Sequence, residues 1–490
     1  MSGQGVNLIT QLVLPPIFLR KYGVSVYGEW LTLSATVTYL ATLNFGLQTF
    51  ANNQVAIHYN RGEIDRAHVV QSTTLLLLLG IITSVALITT VVFWLPINAW
   101  LGLRTDPITA SATIYLLGLQ ILIRILFGFF SGIYMVVGVA YRAGYWSNIL
   151  AITSAAGTAG LAFEHVSFTW IAAQQAITVA LICVFMLVHI RVTVPAIFPR
   201  LRYARPRRFG EFLKPSGYFG LLYSSNFLVY QVPVILMQRI LGPATVVVFS
   251  LTRTIFSMSR NVLTSMTQAL GPEITELYGK RSWPGLFRLY ELSERVVFAS
   301  VPPVSIGTLL AAPVLISVWL HKPDLYDPYV CLLMALISGV MGIKEHKYHF
   351  QTSSNEHTML ARLTFLIYLG MVVLAVPAIF LFGILGFLGI WLVSEFLLVL
   401  AILRLNQRLF AGYSRLDFSP VHKLFALMGT ATIVGAWLAT TASQKSLPII
   451  TLTAALFVSV LLVISYPLFG LKEVRSYLRS RVAVAGGRPV

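Results

Sequence analysis

Three arginines, Arg124, Arg253 and Arg260, lie well inside apolar runs long enough to cross a bilayer, and no acidic residue shares those runs. An ionised side chain at the centre of a spanning helix costs about 2.5 to 3.5 kcal/mol even on insertion scales, so it faces a cavity or a partner and marks a functional path. Cations without acids point to the positive lining of a cavity for an anionic substrate. Around them the polar residues recur at helical spacing. Arg253, Ser257, Arg260, Thr264 and Thr267 share one face of a helix, with Ile255, Met258, Val262 and Met266 on the other. Lipid cannot satisfy such a stripe, so it lines a cavity or ties helices together.

The same theme appears in four other runs. Gln120, Arg124 and Ser131 form one row. Tyr223, Asn226 and Tyr230 share a face just before Pro233, which removes a backbone donor and can kink the helix. Tyrosine and asparagine suit sugar hydroxyls, and they equally suit interhelical hydrogen bonds. Asn7 with Gln11, and Asn44, Gln48 and Asn52, make rows spaced by four, open to helix tethering or ligand contact.

The elements that must hold these residues are membrane helices. The chain has 490 residues, 57% hydrophobic and 11% charged, with a mean hydropathy of +0.79, against about 25% charged in soluble domains. Apolar stretches near the roughly 20 residues that cross a bilayer number about fourteen: 5–20, 29–56, 70–95, 110–138, 146–163, 168–190, 216–240, 244–272, 294–320, 327–350, 359–381, 384–405, 421–442 and 447–468. The fold class is therefore an all-α polytopic membrane protein. The N-terminus lacks the pattern of a cleavable signal, so the spans direct insertion.

The net charge of +18 is a topology signal. With the N-terminus inside, most basic residues fall in alternate connections: Arg61 and Arg66, Arg142, the stretch Arg191 to Lys214, Lys280 to Arg295, Lys344 with Lys347 and Arg362, Arg404 to Lys423, and the C-terminal tail. That asymmetry predicts both termini in the cytoplasm. The basic residues are spread over separate loops without interleaved exposed aromatics, which excludes a nucleic-acid partner.

Several chemistries are excluded. Cys183 and Cys331 fall inside spans, so no disulfide framework or cysteine metal site is expected. Glu345, His346 and His349 beside Lys344 and Lys347 read as a solvated helix end and not as metal ligands. No phosphate-cradling loop, HExxH or long outer loop is present, which argues against an ATP-driven pump and against a catalytic site; the protein is read as a non-enzyme needing no cofactor. Only Glu395 sits comfortably inside a run, with Glu29 and Glu345 at margins, so carboxylates for a cation-coupled drug exporter are few.

The segment Arg191 to Pro215, rich in arginine and proline, divides the chain. The expected organisation is an N-terminal lobe at 1–190, a basic cytoplasmic linker at 191–215, a C-terminal lobe at 216–405, an added helix pair at 406–470 and an amphipathic basic tail at 471–490, where Leu471, Val474, Leu478 and Val482 recur opposite Lys472, Arg475, Arg479 and Arg481. The lobes repeat weakly. Gly23-Val-Ser-Val-Tyr-Gly28 matches Gly242-Pro-Ala-Thr-Val-Val247, and the same offset of about 219 carries His58-Tyr-Asn-Arg-Gly62 onto Leu277-Tyr-Gly-Lys-Arg281. An even number of spans between copies makes this a parallel repeat, a plan associated with a substrate site between halves and alternating access.

These residues also carry a resemblance. Phe18-Leu-Arg-Lys-Tyr-Gly-Val-Ser-Val-Tyr-Gly-Glu-Trp30, Leu43-Asn-Phe-Gly-Leu-Gln-Thr-Phe50 and Asn60-Arg-Gly-Glu-Ile-Asp65 resemble the N-terminal signature of Wzx-type polysaccharide flippases, within the multidrug/oligosaccharidyl-lipid/polysaccharide exporter superfamily. Leu241-Gly-Pro-Ala-Thr-Val-Val-Val-Phe-Ser250 resembles the start of that family's second lobe; Gly-Val-Ser replaces a commoner Gly-Pro in the first copy. The resemblance implies two six-helix lobes plus two helices in a bacterial inner membrane. It implies a cationic central cavity that carries an undecaprenyl-pyrophosphate-linked oligosaccharide outward for surface polysaccharide such as O-antigen or exopolysaccharide. The expected substrate-binding residues are Arg124, Arg253, Arg260, Ser257, Gln120, Tyr223, Asn226, Tyr230, Asn44, Gln48 and Gln11. Expected partners are the lipid-linked oligosaccharide, membrane lipids and other polysaccharide-assembly proteins, with H+ or Na+ as a possible coupling ion and a monomeric state. An ion-coupled multidrug exporter and a membrane glycan polymerase or ligase stand as the alternatives.

Overall fold

The computed structural model describes residues 2–44, 47–354, 357–442 and 447–476. Among them the regular structure is helical throughout. The first half comprises α1 (Ser2–Val37), α2 (Leu47–Asn60), α3 (Ile64–Thr89), α4 (Ile97–Leu101), α5 (Pro107–Val136), α6 (Ala140–Phe163) and α7 (Phe168–Thr193). The second comprises α8 (Phe209–Tyr230), α9 (Val232–Leu241), α10 (Pro243–Gln268), α11 (Gly271–Gly279), α12 (Trp283–Leu320), α13 (Pro328–Ser353), α14 (His357–Phe410), α15 (Ser419–Ala442) and α16 (Leu447–Leu468).

Two of these helices contain reversals. α1 breaks at Gly23 and α14 at Gly383, both with positive φ. The chain doubles back at each: Phe18 packs on Trp30 with ring centroids 5.6 Å apart, and the Tyr368 hydroxyl reaches Glu395 at 2.7 Å. With these reversals the path makes about fourteen helical passes, as the hydropathy pattern predicts. Nine helices among the described residues are long and apolar enough to cross a membrane. Large apolar side chains such as Leu87, Ile88, Phe380 and Phe382 stand exposed on them, an arrangement that only a lipid environment satisfies.

The internal repeat is written into the backbone. Gly23 has φ 77° and ψ 173°, and Gly242, 219 residues later, has φ 87° and ψ 174°. The next turn repeats bond for bond. Gly62 and Glu63 donate to the carbonyls of Tyr59 and His58 at 3.0 and 2.9 Å, and Arg281 and Ser282 donate to Tyr278 and Leu277 at the same distances. Each is a helix C-terminus closed by a left-handed residue, Gly62 (φ 76°) in one copy and Arg281 (φ 53°) in the other. Gly102 and His321 again end helices in the left-handed conformation. Asp106 and Asp327, each followed by proline, then cap α5 and α13 by accepting backbone N–H bonds. In the first turn the His58 ring, 2.7 Å from Glu63, together with Arg66 holds that carboxyl below its usual range.

Two compact units result, Met1–Val247 and Val248–Val490. In the first, α5 packs on α7, α6 on α1 and α7, and α2 on α3 and α5. This unit also takes in the seventh span: α8 packs on the 3-10 turn Thr38–Asn44 and on α2, and α9 packs on α1. The basic linker folds into three 3-10 turns, Pro195–Ile197, Leu201–Tyr203 and Pro206–Arg208. It is clasped to α3, with Tyr203 stacked on His68 at 4.9 Å and the Arg205 amide donating to Thr73 at 3.0 Å. In the second unit α13 packs on α14, and α12 packs on α13, α15 and α16, so the last helix pair completes the core around Phe298, Val301 and Met428. Of the predicted amphipathic tail, Leu471 and Val474 are described, and Leu478, Arg479, Arg481 and Val482 lie outside the described residues.

Another stretch of backbone crowds Gly28 in the first unit, where a Cβ would sit 2.3 Å from the Pro243 carbonyl oxygen. Beside it Thr32 donates to Gln238, which donates to the Gly102 carbonyl, both at 3.2 Å. Gly28→Leu must push the head of α10 away, so the variant is expected to lose about 1–3 kcal/mol of stability, readable as a lowered Tm of the detergent-purified protein, while Gly80→Leu, with open space around it, leaves Tm unchanged.

Candidate functional site

In the first unit the site begins with α5. Gly128 and Gly132 leave two notches one turn apart, and Gln48 and Asn52 of α2, also one turn apart, fill them. A Cβ on Gly128 would lie 2.7 Å from the Gln48 Oε1, and one on Gly132 2.1 Å from the Asn52 Nδ2. Gln48 donates through Nε2 to the Ile125 carbonyl. The amide row therefore knits α2 to α5 with a satisfied polar contact, as lipid-embedded helices require. Next to Ile125 stands Arg124, exposed and with no ion pair or hydrogen bond to any described residue. Gln120 is half-buried one turn earlier, and Ser131 donates to the Gly128 carbonyl at 3.0 Å.

The remaining first-unit residues lie on other helices. Tyr223 and Asn226 are exposed and Tyr230 half-buried, all on α8; Gln11 is exposed on α1. The side chains of Asn7 and Asn44 lie outside the described residues. Glu29 is buried, and its oxygens accept from the backbone N–H groups of Arg104 and Thr105 at 2.9 and 2.8 Å and from the Thr105 hydroxyl. This carboxylate therefore fastens the connection between α4 and α5. A cavity of about 500 Å3, lined by Tyr22, Glu29, Arg104, Thr109, His165 and Phe168, opens beside it.

In the second unit α10 carries the polar stripe. Arg253 is half-buried with its guanidinium 5.1 Å from the Phe249 ring centroid. Arg260, also half-buried, donates through Nη1 to the Met341 sulfur at 3.0 Å, a weak acceptor. Ser257 and Thr267 turn their hydroxyls back to the Thr254 and Thr264 carbonyls at 2.9 Å. The buried row is Phe249, Phe256 and Leu263; Phe249 packs on Phe387 and Trp391 of α14. On the apolar face Ile255 is buried while Val262 and Met266 are exposed.

The chemistry that sequence reasoning missed lies between α12, α13 and α14. Lys344 and Lys347, expected in a solvated connection, are buried inside α13, because that helix runs on to Ser353. Lys344 donates to Glu395 at 2.7 Å and to Tyr368 at 2.8 Å. The second Glu395 oxygen accepts from Tyr368 at 2.7 Å and from the Trp391 indole at 3.0 Å. Lys347 pairs with Glu294 and donates to the Tyr290 hydroxyl at 2.7 Å. His346 meets Ser293 at 2.8 Å, and Gln351 donates to Asn406, which donates to the Lys347 carbonyl. Glu294, the first residue of the run 294–320, thus joins Glu395 as a spanning carboxylate. The signal in the sequence was the Lys344 and Lys347 spacing of three, which puts both on one face of a continuing helix. Glu345 and His349 remain half-buried and 4.0 Å apart, and the described residues hold no cluster suited to a metal ion.

No family model matches the sequence, and no curated protein is similar to it. Solved structures are. An inward-facing multidrug resistance transporter of the MATE family, in the MOP superfamily, superposes with a TM-score of 0.69 at 16% identity, over 83% of this chain and 94% of that one. The chain has the MATE fold. An outward-facing transporter of the same family gives 0.60 at 17% identity, covering 84% and 94%. The MATE multidrug transporter DinF-BH gives 0.62 at 14%, covering 83% and 92%.

Removing one partner of a buried ion pair strands the other charge and costs about 3–5 kcal/mol, whereas replacing both with apolar groups is near neutral. Lys347→Met and Glu294→Leu are each expected to lower the yield and Tm of purified protein sharply, and the double variant to recover most of the loss. A double variant no better than the singles would show that the two charges are not coupled.

Proposed function

We propose that this protein is a flippase, moving a lipid-linked oligosaccharide with a pyrophosphate head across the bacterial inner membrane by alternating access. The observation that carries this reading is a contrast between cations. The spanning lysines Lys344 and Lys347 are neutralised by Glu395 and Glu294, whereas Arg124 and Arg260 have no carboxylate partner among the described residues. A guanidinium held in a membrane helix without an acid carries uncompensated charge, and a pyrophosphate supplies two or more negative charges with oxygens that its planar fork pairs two at a time. Arg253 lies on the same α10 stripe as Arg260 and Ser257. Exposed Tyr223 and Asn226 offer hydroxyl and amide groups for sugars. The N-terminal signature, which resembles that of the Wzx-type flippases, points the same way.

A second reading, export of small drugs, draws on the multidrug transporters that share the fold. It needs a spanning carboxylate for a coupling cation. The three glutamates buried among the described residues are engaged, Glu29 by backbone amides and Glu294 and Glu395 by lysines, which favours the anionic substrate.

The test is complementation of a flippase-null strain, with surface polysaccharide measured at matched expression. Arg260→Ala and Arg253→Ala are expected to abolish the polymer, Arg260→Lys to keep part of it, and Glu395→Gln to act through stability. If both alanine variants restore normal polymer, the arginine surface does not carry the substrate. Glu29- or Glu395-dependent efflux of a cationic dye, with no effect of the arginine variants, would establish the drug-export reading instead.

A further inference from the structure

A second anion-binding chemistry sits at one end of the second unit, away from the α10 stripe. A cavity of about 450 Å3 is lined by Arg362 and Arg408, by Tyr278 and Trp283, and by Gln351 and Thr358, with Met359 and two leucines completing it. That volume is within the range of about 300–1,000 Å3 typical of small-ligand sites.

Its depth follows from the fold of α14. The helix reverses at Gly383; Arg362 stands about 21 residues before that point and Arg408 about 25 after it, which at 1.5 Å per residue puts them roughly 32 and 38 Å from the turn. A hydrocarbon core is about 30 Å thick. Both guanidinium groups therefore come level with the headgroups on the side opposite the Gly383 turn. Trp283 and Tyr278, in edge-to-face contact at 5.7 Å, are the residue types that sit at that level. Behind them Ile274, Leu286, Phe350 and Phe410 form a packed wall.

Among the described residues the lining holds no aspartate or glutamate. Two guanidiniums, an amide and a hydroxyl on an aromatic rim suit a phosphate ester: the arginines take the charged oxygens, and Gln351 and Thr358 offer polar contacts to what the phosphate carries. Gln351 is held in place by Asn406 at 2.6 Å, so that wall of the pocket is fixed before any ligand arrives.

We propose that this cavity is a binding site for the phosphate-bearing headgroup of an anionic lipid, anchored by Arg408 and Arg362. The site does not depend on which substrate the protein transports. Two sources share the chemistry, a bilayer phospholipid such as phosphatidylglycerol and a polyprenyl phosphate.

The test is native mass spectrometry of the full-length protein in detergent, titrated separately with phosphatidylglycerol, with a polyprenyl monophosphate and with phosphatidylcholine. Arg408→Gln and Arg362→Gln are expected to weaken binding of the anionic lipids about tenfold or more, the loss of one charge-assisted contact. Arg408→Lys should retain part of it, and zwitterionic phosphatidylcholine should not distinguish the variants. Arg404→Ala, one turn away and outside the cavity, serves as the control for general loss of charge and should bind as the parent does. Preferential loss for phosphatidylglycerol identifies a bilayer lipid, and preferential loss for the polyprenyl phosphate identifies a carrier lipid. Parental binding of both anionic lipids by well-folded Arg408→Gln and Arg362→Gln, or an equal loss in Arg404→Ala, overturns the proposal.

Discussion

In a bilayer a buried charge has no water to fall back on, and the second unit is organised around that constraint. Lys344 and Lys347 leave α13 toward two different neighbours, one meeting Glu395 of α14 and the other Glu294 of α12. Each ion pair is completed by a tyrosine hydroxyl, Tyr368 or Tyr290. Desolvation makes such pairs weak sources of net stability but severe penalties for any packing that separates them. They therefore select one register of α12, α13 and α14 over the many that apolar surfaces alone would allow. Around them Tyr290, Phe350 and Phe410 pack edge to face at 4.9 and 5.3 Å, which excludes water and raises the cost of misalignment further.

The first unit solves the same problem with neutral groups. Its helices are joined by small residues and amides, Gly128 and Gly132 receiving Gln48 and Asn52, and the buried carboxylate of Glu29 is satisfied by backbone amides in place of a lysine. The two halves thus share a backbone plan, seen in the glycines and turns that recur 219 residues apart, while their polar interiors differ. A repeat conserves what the path of the chain requires, a reversal, a left-handed C-terminus or an aspartate cap. It leaves the side chains that hold helices together free to diverge.

This division explains what could be read from the sequence. Hydropathy is a local property, and the fourteen runs and their order were legible in it; so were the Gly23 and Gly242 reversals and the Gly62 and Arg281 turns, each set by a few adjacent residues. The Lys344 and Lys347 network was not. Its partners lie about fifty residues away in both directions, and a cluster of two lysines, two histidines and a glutamate near the end of an apolar run has the composition of a solvated boundary. Only the continuation of α13 to Ser353 reveals those residues as interior. The spanning arginines were legible because charge in hydrocarbon is conspicuous whatever surrounds it. What Gln48 does was open in the sequence, since an amide hydrogen-bonds a carbonyl and a sugar equally well, and the structure shows it donating to Ile125.

The basic segment between α7 and α8 has the proline and arginine content of a loose tether, yet it is fastened to α3 at Tyr203 and again at Arg205. A strap riveted at two points has little slack. Of its roughly fifteen residues only a short stretch on either side of the rivets is left to stretch or fold, so displacement of α8 pulls on α3 through a few covalent bonds and not through a floppy loop. Its length, more than its charge, then sets how far the seventh span can travel.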